Sequence, residues 1–200
     1  MRDKIAVRTA IESGAHYIGF IIDNTESIRG VSSDVVKDIV ETFHGATAKF
    51  VGVFVNRQEC DVARIAKDTG IHIIQLHGKE EPKYVIRIKE KTHLQVWKFI
   101  EVNFETDLAQ IEEYKGVADK IFVDEGKGGG LPIDPKLIER AVEIGVDGIA
   151  GGVAEANVQE YILNYHPEII DVSSGIEKIR GIKSIELIKS FMTKVKETYV

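Results

Sequence analysis

Two turns rich in glycine and serine, near the C-terminal end of the chain, have the composition of an anion-binding site. Gly151-Gly152 follows one apolar run, and Ser173-Ser174-Gly175 follows the next. Glycine lets backbone N–H groups approach an anion, and a helix that begins behind such a turn adds a favourable dipole. Each turn could also be no more than a tight strand-to-helix connection. Their paired positions favour phosphate binding by these five residues.

Two charged residues also follow apolar runs and could act on a ligand held there. Asp124 ends a buried run, and loss of solvation in general suits a carboxyl group to donate a proton. The alternative is that Asp124 only braces the loop behind it. Arg29 could bind a carboxylate through two parallel hydrogen bonds, although most arginines in loops are merely solvated.

Three more polar residues, Asp23, His77 and Asp171, follow other apolar runs and could line the same site, although His77 could equally be structural. Cys60, the only cysteine, falls in a helical pattern and is interpreted as a packing or surface thiol. The six histidines lack metal-ligand spacing, so we expect no metal. The loop at residues 127–130 (Lys-Gly-Gly-Gly) predicts a mobile segment or a lid.

The elements that must position these residues alternate along the chain between short apolar runs and stretches with helical spacing. The runs are apolar on both faces, which is typical of parallel strands covered by helices on each side. Seven strands are predicted, at residues 17–23, 49–55, 71–76, 94–100, 120–124, 147–151 and 169–173. Eight helical segments accompany them, and the first covers residues 2–13.

Repeated strand–helix units require right-handed crossovers and therefore a parallel sheet. An open doubly wound sheet and a closed barrel both satisfy this rule, but the polar residues that follow so many strands favour the barrel, where all strand ends meet at one mouth. We therefore predict an α/β protein with a (β/α)8 TIM-barrel fold in a single domain over residues 1–200. With seven strands visible, the first strand of the barrel is missing and should precede residue 1.

Composition excludes several other classes of protein. The 200 residues carry 26 Lys and Arg against 32 Asp and Glu, a net charge of −6, which argues against a nucleic-acid surface. No apolar run is long enough to span a membrane, and the N-terminus lacks a signal sequence. One cysteine excludes an internal disulfide and suits a reducing compartment, so we expect a cytoplasmic protein with no membrane or nucleic-acid partner.

Several motifs in this order resemble those of the phosphoribosylanthranilate isomerase family, the (β/α)8 enzymes of tryptophan biosynthesis. The matching stretches are GAHYIGFI at 14–21, GVFVN at 52–56, QLHG at 75–78, AGG-x4-NV from Ala150, and DVSSG-x-E from Asp171. The likeness extends over nearly the whole chain. Taken together in sequence, the blocks are far more specific than any one of them alone.

The resemblance implies an Amadori rearrangement of N-(5-phosphoribosyl)anthranilate to 1-(2-carboxyphenylamino)-1-deoxyribulose 5-phosphate without a cofactor. It implies that Asp124 is the general acid that opens the ribose ring and that Arg29 binds the anthranilate carboxylate. It further implies that the two turns at 151–152 and 173–175 hold the phosphate. The expected partner is therefore a small phosphorylated anthranilate.

Three departures from the family pattern leave alternatives open. The family's general base is a cysteine at the end of the first strand, which Cys60 does not match; Ile28 replaces a proline; and the loop at 128–132 lacks a Thr-Gly-Lys segment. The native protein could begin further upstream, another group such as Asp23 could act as base, or the chain could be a non-catalytic or divergent paralogue that binds a phosphorylated ligand. We expect weak or no turnover without the cysteine, and open sheet edges that allow a homodimer.

Overall fold

The structure, a computed structural model, describes residues 1–126 and 132–198. Strands and helices alternate along most of this length. The strands are β1 (Tyr17–Ile22), β2 (Gly30–Val31), β3 (Lys49–Phe54), β4 (Ile73–Leu76), β5 (Gln95–Glu101), β6 (Lys120–Asp124), β7 (Gly148–Ile149), β8 (Ile169–Ile170), β9 (Glu177–Ile179) and β10 (Ile182–Lys183). The helices are α1 (Lys4–Glu12), α2 (Ser33–Thr42), α3 (Glu59–Thr69), α4 (Pro82–Thr92), α5 (Ala109–Tyr114), α6 (Pro135–Ile144), α7 (Val158–Tyr165) and α8 (Ile185–Thr198), with a 3-10 turn at Glu105–Leu108.

Eight strands form one parallel sheet in the order β2-β1-β3-β4-β5-β6-β7-β8. Each of the seven predicted runs overlaps one of these strands. The eighth, β2, was not predicted; it is two residues long and pairs with the end of β1, Gly30 opposite Ile21. A separate antiparallel hairpin, β9–β10, follows β8 and was not predicted either.

The apolar residues on the two faces of the sheet enter two different layers. The larger layer lies between the sheet and the helices, where side chains such as Phe20, Ile74 and Val123 are fully buried. The smaller layer fills the inside of the curled sheet, and the rings of Phe99 and Phe122 stack there at 4.4 Å. Its buried members are Val51, Ile73, Trp97, Phe99, Phe122 and Ala150. This double burial is why the strands do not alternate between apolar and polar residues.

The sheet does not close on itself within the described residues. β8 pairs with β7 alone, and β1 pairs with β3 and the short β2, so that no ladder joins β8 to β1. Helix α1 nevertheless packs on α8, which closes the helical layer outside this gap. We call the gap between β1 and β8 the seam. The predicted missing first strand concerns this place, but the parallel sheet of the described residues has eight strands, because β2 adds to the seven predicted ones.

The seam opens into a cavity of about 870 Å³ that continues to the mouth of the sheet. Tyr17 and Ile18 of β1 line one side, and Ile169 and Ile170 of β8 line the other. The backbone nitrogen of Met1 lies at the seam and donates to the carbonyl of Gly19 on β1 at 2.5 Å.

None of the helices within residues 1–126 and 132–198 has the length and hydropathy to cross a membrane.

Candidate active site at the strand ends

The predicted site residues converge at the C-terminal ends of the parallel strands. A pocket of about 70 Å³ opens there beside the larger cavity, with which it shares several lining residues. The predicted residues that line the small pocket are Arg29, Asp124, Gly151, Gly152, Asp171, Ser173 and Ser174. His77 lines the larger cavity, where Arg29, Asp124 and Asp171 also appear. The sequence argument from strand ends therefore brought most of these residues to one place.

Asp124 is the last residue of β6 and holds two contacts at once. Its Oδ1 accepts a hydrogen bond from the backbone N–H of Gly126 at 2.7 Å, so it does brace the following loop. Its Oδ2 lies 3.5 Å from Nε2 of His77 at the mouth. The His77 ring stacks on Phe99 at 4.8 Å, and its Nδ1 lies 3.3 Å from Nε2 of Gln75. Asp124 thus braces the following loop and also lies beside the pocket.

Asp171, which follows β8, lies at the mouth in surroundings that disfavour its ionised form. Burial raises its pKa above the ordinary value, and the nearby negative charge of Asp124 raises it further. His77 and Lys183 act in the opposite direction with smaller effects. Two acidic groups therefore share the mouth, and the environment of one of them disfavours ionisation.

The turn Gly151-Gly152 has a backbone that other residues rarely adopt. Its φ angles are +79° and +67°, in the left-handed region. The side chain of Asn157 fixes the turn, because its Oδ1 accepts from the N–H of Ala154 at 2.8 Å and its Nδ2 donates to the carbonyl of Gly152 at 2.9 Å. Helix α7 begins six residues after Gly152, at Val158. Asn157 appeared in the sequence motif, but its part in shaping the turn was not predicted.

The second turn, Ser173-Ser174-Gly175, packs against the first. Gly175 pairs with Ala154, and a Cβ built on Gly175 would lie 2.2 Å from the carbonyl oxygen of Val153. Gly175 is therefore needed for this close approach; the small pocket is lined by Ser173 and Ser174. A helix is the next element only after the first turn, since the hairpin β9–β10 follows Gly175.

Arg29 already has a carboxylate partner within the chain. Its Nε and Nη2 donate to Oε1 and Oε2 of Glu177 at 2.7 and 2.9 Å, which excludes the interpretation of Arg29 as a merely solvated loop residue. The pair raises the pKa of Arg29. Burial alone would raise the pKa of Glu177, but hydrogen bonds from Arg29, Gly181 and Lys183 outweigh it and hold this pKa at about 2. Glu177 is the glutamate of the DVSSG-x-E motif, but neither it nor Lys183 was predicted to contact Arg29.

Asp23 lies at the end of β1, but its carboxylate does not line either cavity. Its Oδ1 accepts from the N–H of Ser33 at 2.8 Å at the start of α2, and its carbonyl accepts from Arg57 at 2.5 Å. The structure thus gives Asp23 a helix-capping contact instead of a place at the mouth. Cys60 is exposed on α3.

Two further expectations concern the glycine-rich loop and a metal ion. The glycine-rich loop at residues 127–130, predicted as a mobile segment or lid, lies outside the described residues. In the part of the chain that the structure describes, no group of three or more His, Cys, Asp or Glu side chains could hold a metal ion.

Fold and site together define a class of protein: a (β/α)-barrel-type protein whose mouth brings a carboxylic acid, an arginine and two backbone turns to one pocket. Comparison with known proteins gives the family. The model of the N-(5'-phosphoribosyl)anthranilate (PRA) isomerase family matches residues 1–194. The chain belongs to this family, as its motifs predicted.

Individual relatives agree with the family assignment. The N-(5'-phosphoribosyl)anthranilate isomerase of Geobacillus thermodenitrificans is 37% identical over 201 residues, which cover 96% of this chain and 89% of that protein. The isomerase of Rhizobium leguminosarum is 33% identical, with the same two coverages.

Solved structures of the family confirm the predicted fold class. The phosphoribosyl anthranilate isomerase of Thermotoga maritima matches with a TM-score of 0.89 and 28% identity, covering 98% of this chain and 96% of that one. A phosphoribosyl anthranilate isomerase in complex with reduced 1-(o-carboxyphenylamino)-1-deoxyribulose 5-phosphate matches with a TM-score of 0.87 and 27% identity, covering 98% and 95%. A third structure shows monomers of the dimeric Thermotoga maritima isomerase, with a TM-score of 0.86, 28% identity and coverage of 98% and 95%.

Proposed function

We propose that this chain acts on the substrate of its family, N-(5'-phosphoribosyl)anthranilate, and isomerises it to the corresponding aminoketose phosphate in tryptophan biosynthesis. The observation that carries the proposal is the meeting of Arg29, Asp124 and the two turns at one pocket. This substrate has a carboxylate, a ribose ring and a phosphate. Each of these groups has a matching partner at the mouth.

The two anionic ends of the substrate determine how it binds. Its phosphate lies against the turns at 151–152 and 173–174, where backbone N–H groups and serine hydroxyls can donate. Its anthranilate carboxylate accepts from Arg29. A guanidinium has five N–H donors, and Glu177 takes two of them, so the remaining donors can serve the ligand.

Asp124 is then the general acid. It donates a proton to the ribose ring oxygen, the C1'–O bond breaks, and the anthranilate nitrogen forms a Schiff base with C1'. Removal of the C2' proton gives an enolamine, which tautomerises to the ketone; the proton taken up is balanced by the proton released, so no redox partner is needed. His77, 3.5 Å from Asp124, lies where it can influence this proton transfer.

The C2' proton also needs a base, and the surroundings of Cys60 and Asp23 favour neither of them as that base. The exposed Cys60 on α3 lies away from the mouth, and the carboxylate of Asp23 is engaged with the N–H of Ser33. Loss of a positioned base typically lowers the rate about 10²–10⁴-fold. We therefore expect ligand binding by this chain to be intact and turnover to be weak.

Binding and turnover are best measured separately on the full chain. Trp97, the only tryptophan, lines the large cavity, so its fluorescence can report titration with reduced 1-(o-carboxyphenylamino)-1-deoxyribulose 5-phosphate. Saturable binding together with detectable isomerisation of N-(5'-phosphoribosyl)anthranilate is expected. A chain that binds neither compound would contradict the proposal.

The alternative, a non-catalytic protein that binds a phosphorylated ligand, is favoured by the position of the only cysteine outside the mouth. It predicts saturable binding of the same analogue with no turnover at any enzyme concentration. Kinetics at high enzyme concentration distinguish the two proposals. An upstream in-frame strand ending in Cys-Gly in the gene would favour the isomerase.

A homodimer is a further proposal, since a relative from Thermotoga maritima is dimeric. In this chain β8 and the part of β1 that β2 does not cover present backbone groups that could pair with another copy. The mass in solution, measured by light scattering over a range of concentrations, tests this. A mass equal to one chain at all concentrations would contradict it.

A further inference from the structure

We propose that Glu177 and Lys183, on the hairpin β9–β10, are positioning residues that hold Arg29 at a fixed distance from the phosphate-binding turn. In this way they make the mouth selective for ligands that carry a carboxylate and a phosphate at matching separation. The inference rests on the proposed function, because it assumes that Arg29 binds the ligand's carboxylate.

The first step is the orientation of Arg29. Glu177 binds the guanidinium along its Nε–Nη2 side, through two hydrogen bonds of 2.7 and 2.9 Å. A two-point contact of this kind fixes the plane of the guanidinium as well as its position. Arg29 lines both cavities of the mouth, so the donors that Glu177 leaves available can face a ligand there.

The second step is the connection between Glu177 and the phosphate-binding turn. Nζ of Lys183 donates to Oε1 of Glu177 at 3.1 Å, to the carbonyl of Ser173 at 2.7 Å and to Oγ of Ser173 at 3.2 Å. The backbone N–H of Glu177 also donates to the carbonyl of Ser174 at 3.0 Å. One ammonium group and one backbone bond thus connect the arginine clamp to the turn.

The third step concerns charge. Only 16% of the Arg29 side chain, 4% of that of Glu177 and 9% of that of Lys183 is exposed. Charges this well covered are costly unless they are paired, so the geometry of the cluster is held more firmly than that of exposed ion pairs. Two cations share one carboxylate, which leaves the cluster with one positive charge toward an anionic ligand.

The hairpin β9–β10 adds little apolar surface to the core. Ile179 and Ile182, its apolar side chains, are 62% and 43% exposed, and thus add little to the core. Its well-covered side chains are the polar ones that reach the mouth, Glu177 and Lys183. The hairpin therefore holds the clamp, and the contribution of its apolar side chains to folding is small.

The test compares two ligands by calorimetry with the full chain: reduced 1-(o-carboxyphenylamino)-1-deoxyribulose 5-phosphate and the same compound without the ring carboxylate. Glu177→Gln should weaken binding of the first roughly 10- to 100-fold and of the second less than about 3-fold, because it acts through Arg29. Lys183→Met should weaken both ligands, since Lys183 also holds the phosphate-binding turn. Glu177→Asp, which keeps the charge, should recover part of the lost affinity.

The matched control is Glu59→Gln, which removes a similar contact, the 2.7 Å bond between Glu59 and Arg87, on the outer helices. It should leave both affinities unchanged. Equal losses for the two ligands in Glu177→Gln, or no loss in either, would overturn the inference while the proposed function stood. A wild-type chain that binds neither ligand would refute the proposed function, and the inference with it. Should Glu177→Gln not fold, the same comparison of ligands applies to Glu177→Asp.

Discussion

The middle of the sheet and the seam are built from the same kinds of residue but are held together differently. Strands β3 to β6 pair in unbroken parallel ladders, with up to five residue pairs between β5 and β6. At the seam, β7 and β8 are two residues long, and no ladder joins β8 to β1 within the described residues. Inside the sheet, the stacked rings of Trp97, Phe99 and Phe122 pack together, and one side of them lines the cavity of about 870 Å³ that extends to the seam.

The difference determines how each functional group is supported. Asp124 ends β6 and His77 follows β4, in the continuous part of the sheet, so backbone ladders fix their positions. Arg29 and Ser173 lie on the two sides of the seam, where the ladder is absent. The ion pair between Arg29 and Glu177 and the contacts of Lys183 join these two sides instead. Ion pairs between side chains thus join the two sides of the seam, whereas backbone hydrogen bonds join the strands in the middle of the sheet.

The largest expected effect concerns the continuous part. Asp124→Asn removes the general acid while leaving a side chain of the same size, so turnover should fall about 10²–10⁴-fold. Affinity for the reduced analogue should change little, because the anion contacts come from other residues. Steady-state kinetics and fluorescence titration measure the two quantities. Unchanged turnover would remove Asp124 from the mechanism.

The second prediction compares packing in the two regions by the same change, isoleucine to alanine, at one position in each. Ile73 is fully buried in the inner layer, whereas Ile169 packs against the same layer but lines the seam cavity. Ile73→Ala should lower the free energy of unfolding by about 2–5 kcal/mol, because it opens a new cavity in a tightly packed layer. Ile169→Ala should cost less than about 2 kcal/mol, since its surroundings are already open. Denaturant unfolding that gave equal losses would contradict the comparison.

The third prediction concerns the contact between the two turns. A methyl group on Gly175 would lie 2.2 Å from the carbonyl oxygen of Val153, so Gly175→Ala should push the turns apart and weaken binding of inorganic phosphate about tenfold. Gly45→Ala is the control, because a Cβ there would have no neighbour within 4 Å. Competition against the reduced analogue measures phosphate affinity. Equal affinities in the two variants would show that the close approach is not needed.

The sequence predicted these two regions unequally, for physical reasons. Strands buried on both faces leave apolar runs, which at β7 and β8 are longer than the strand itself, so all seven could be found, and the residues after them could be placed at one mouth. The two-residue strand Gly30–Val31 and the hairpin β9–β10 are too short to show periodicity. The pair Arg29–Glu177 joins positions 148 residues apart, and no local pattern predicts such a contact. Asp23 was misplaced because a strand end can also cap the next helix, as it does at Ser33.

The smallest expected effect is the pH dependence of the seam's ion-pair cluster. Glu177 has a pKa of about 2 in the folded protein, below its ordinary value of 4.5, so the folded state favours its ionised form. Its contribution to stability is therefore complete above about pH 4.5 and is lost as the pH falls toward 2. At pH 7, Glu177→Gln should lower Tm by roughly 2–4 °C, and the difference from wild type should shrink as the pH is lowered through this range. A difference in Tm that stayed constant from pH 7 to pH 3 would show that the charge of Glu177 does not hold the two sides of the seam together.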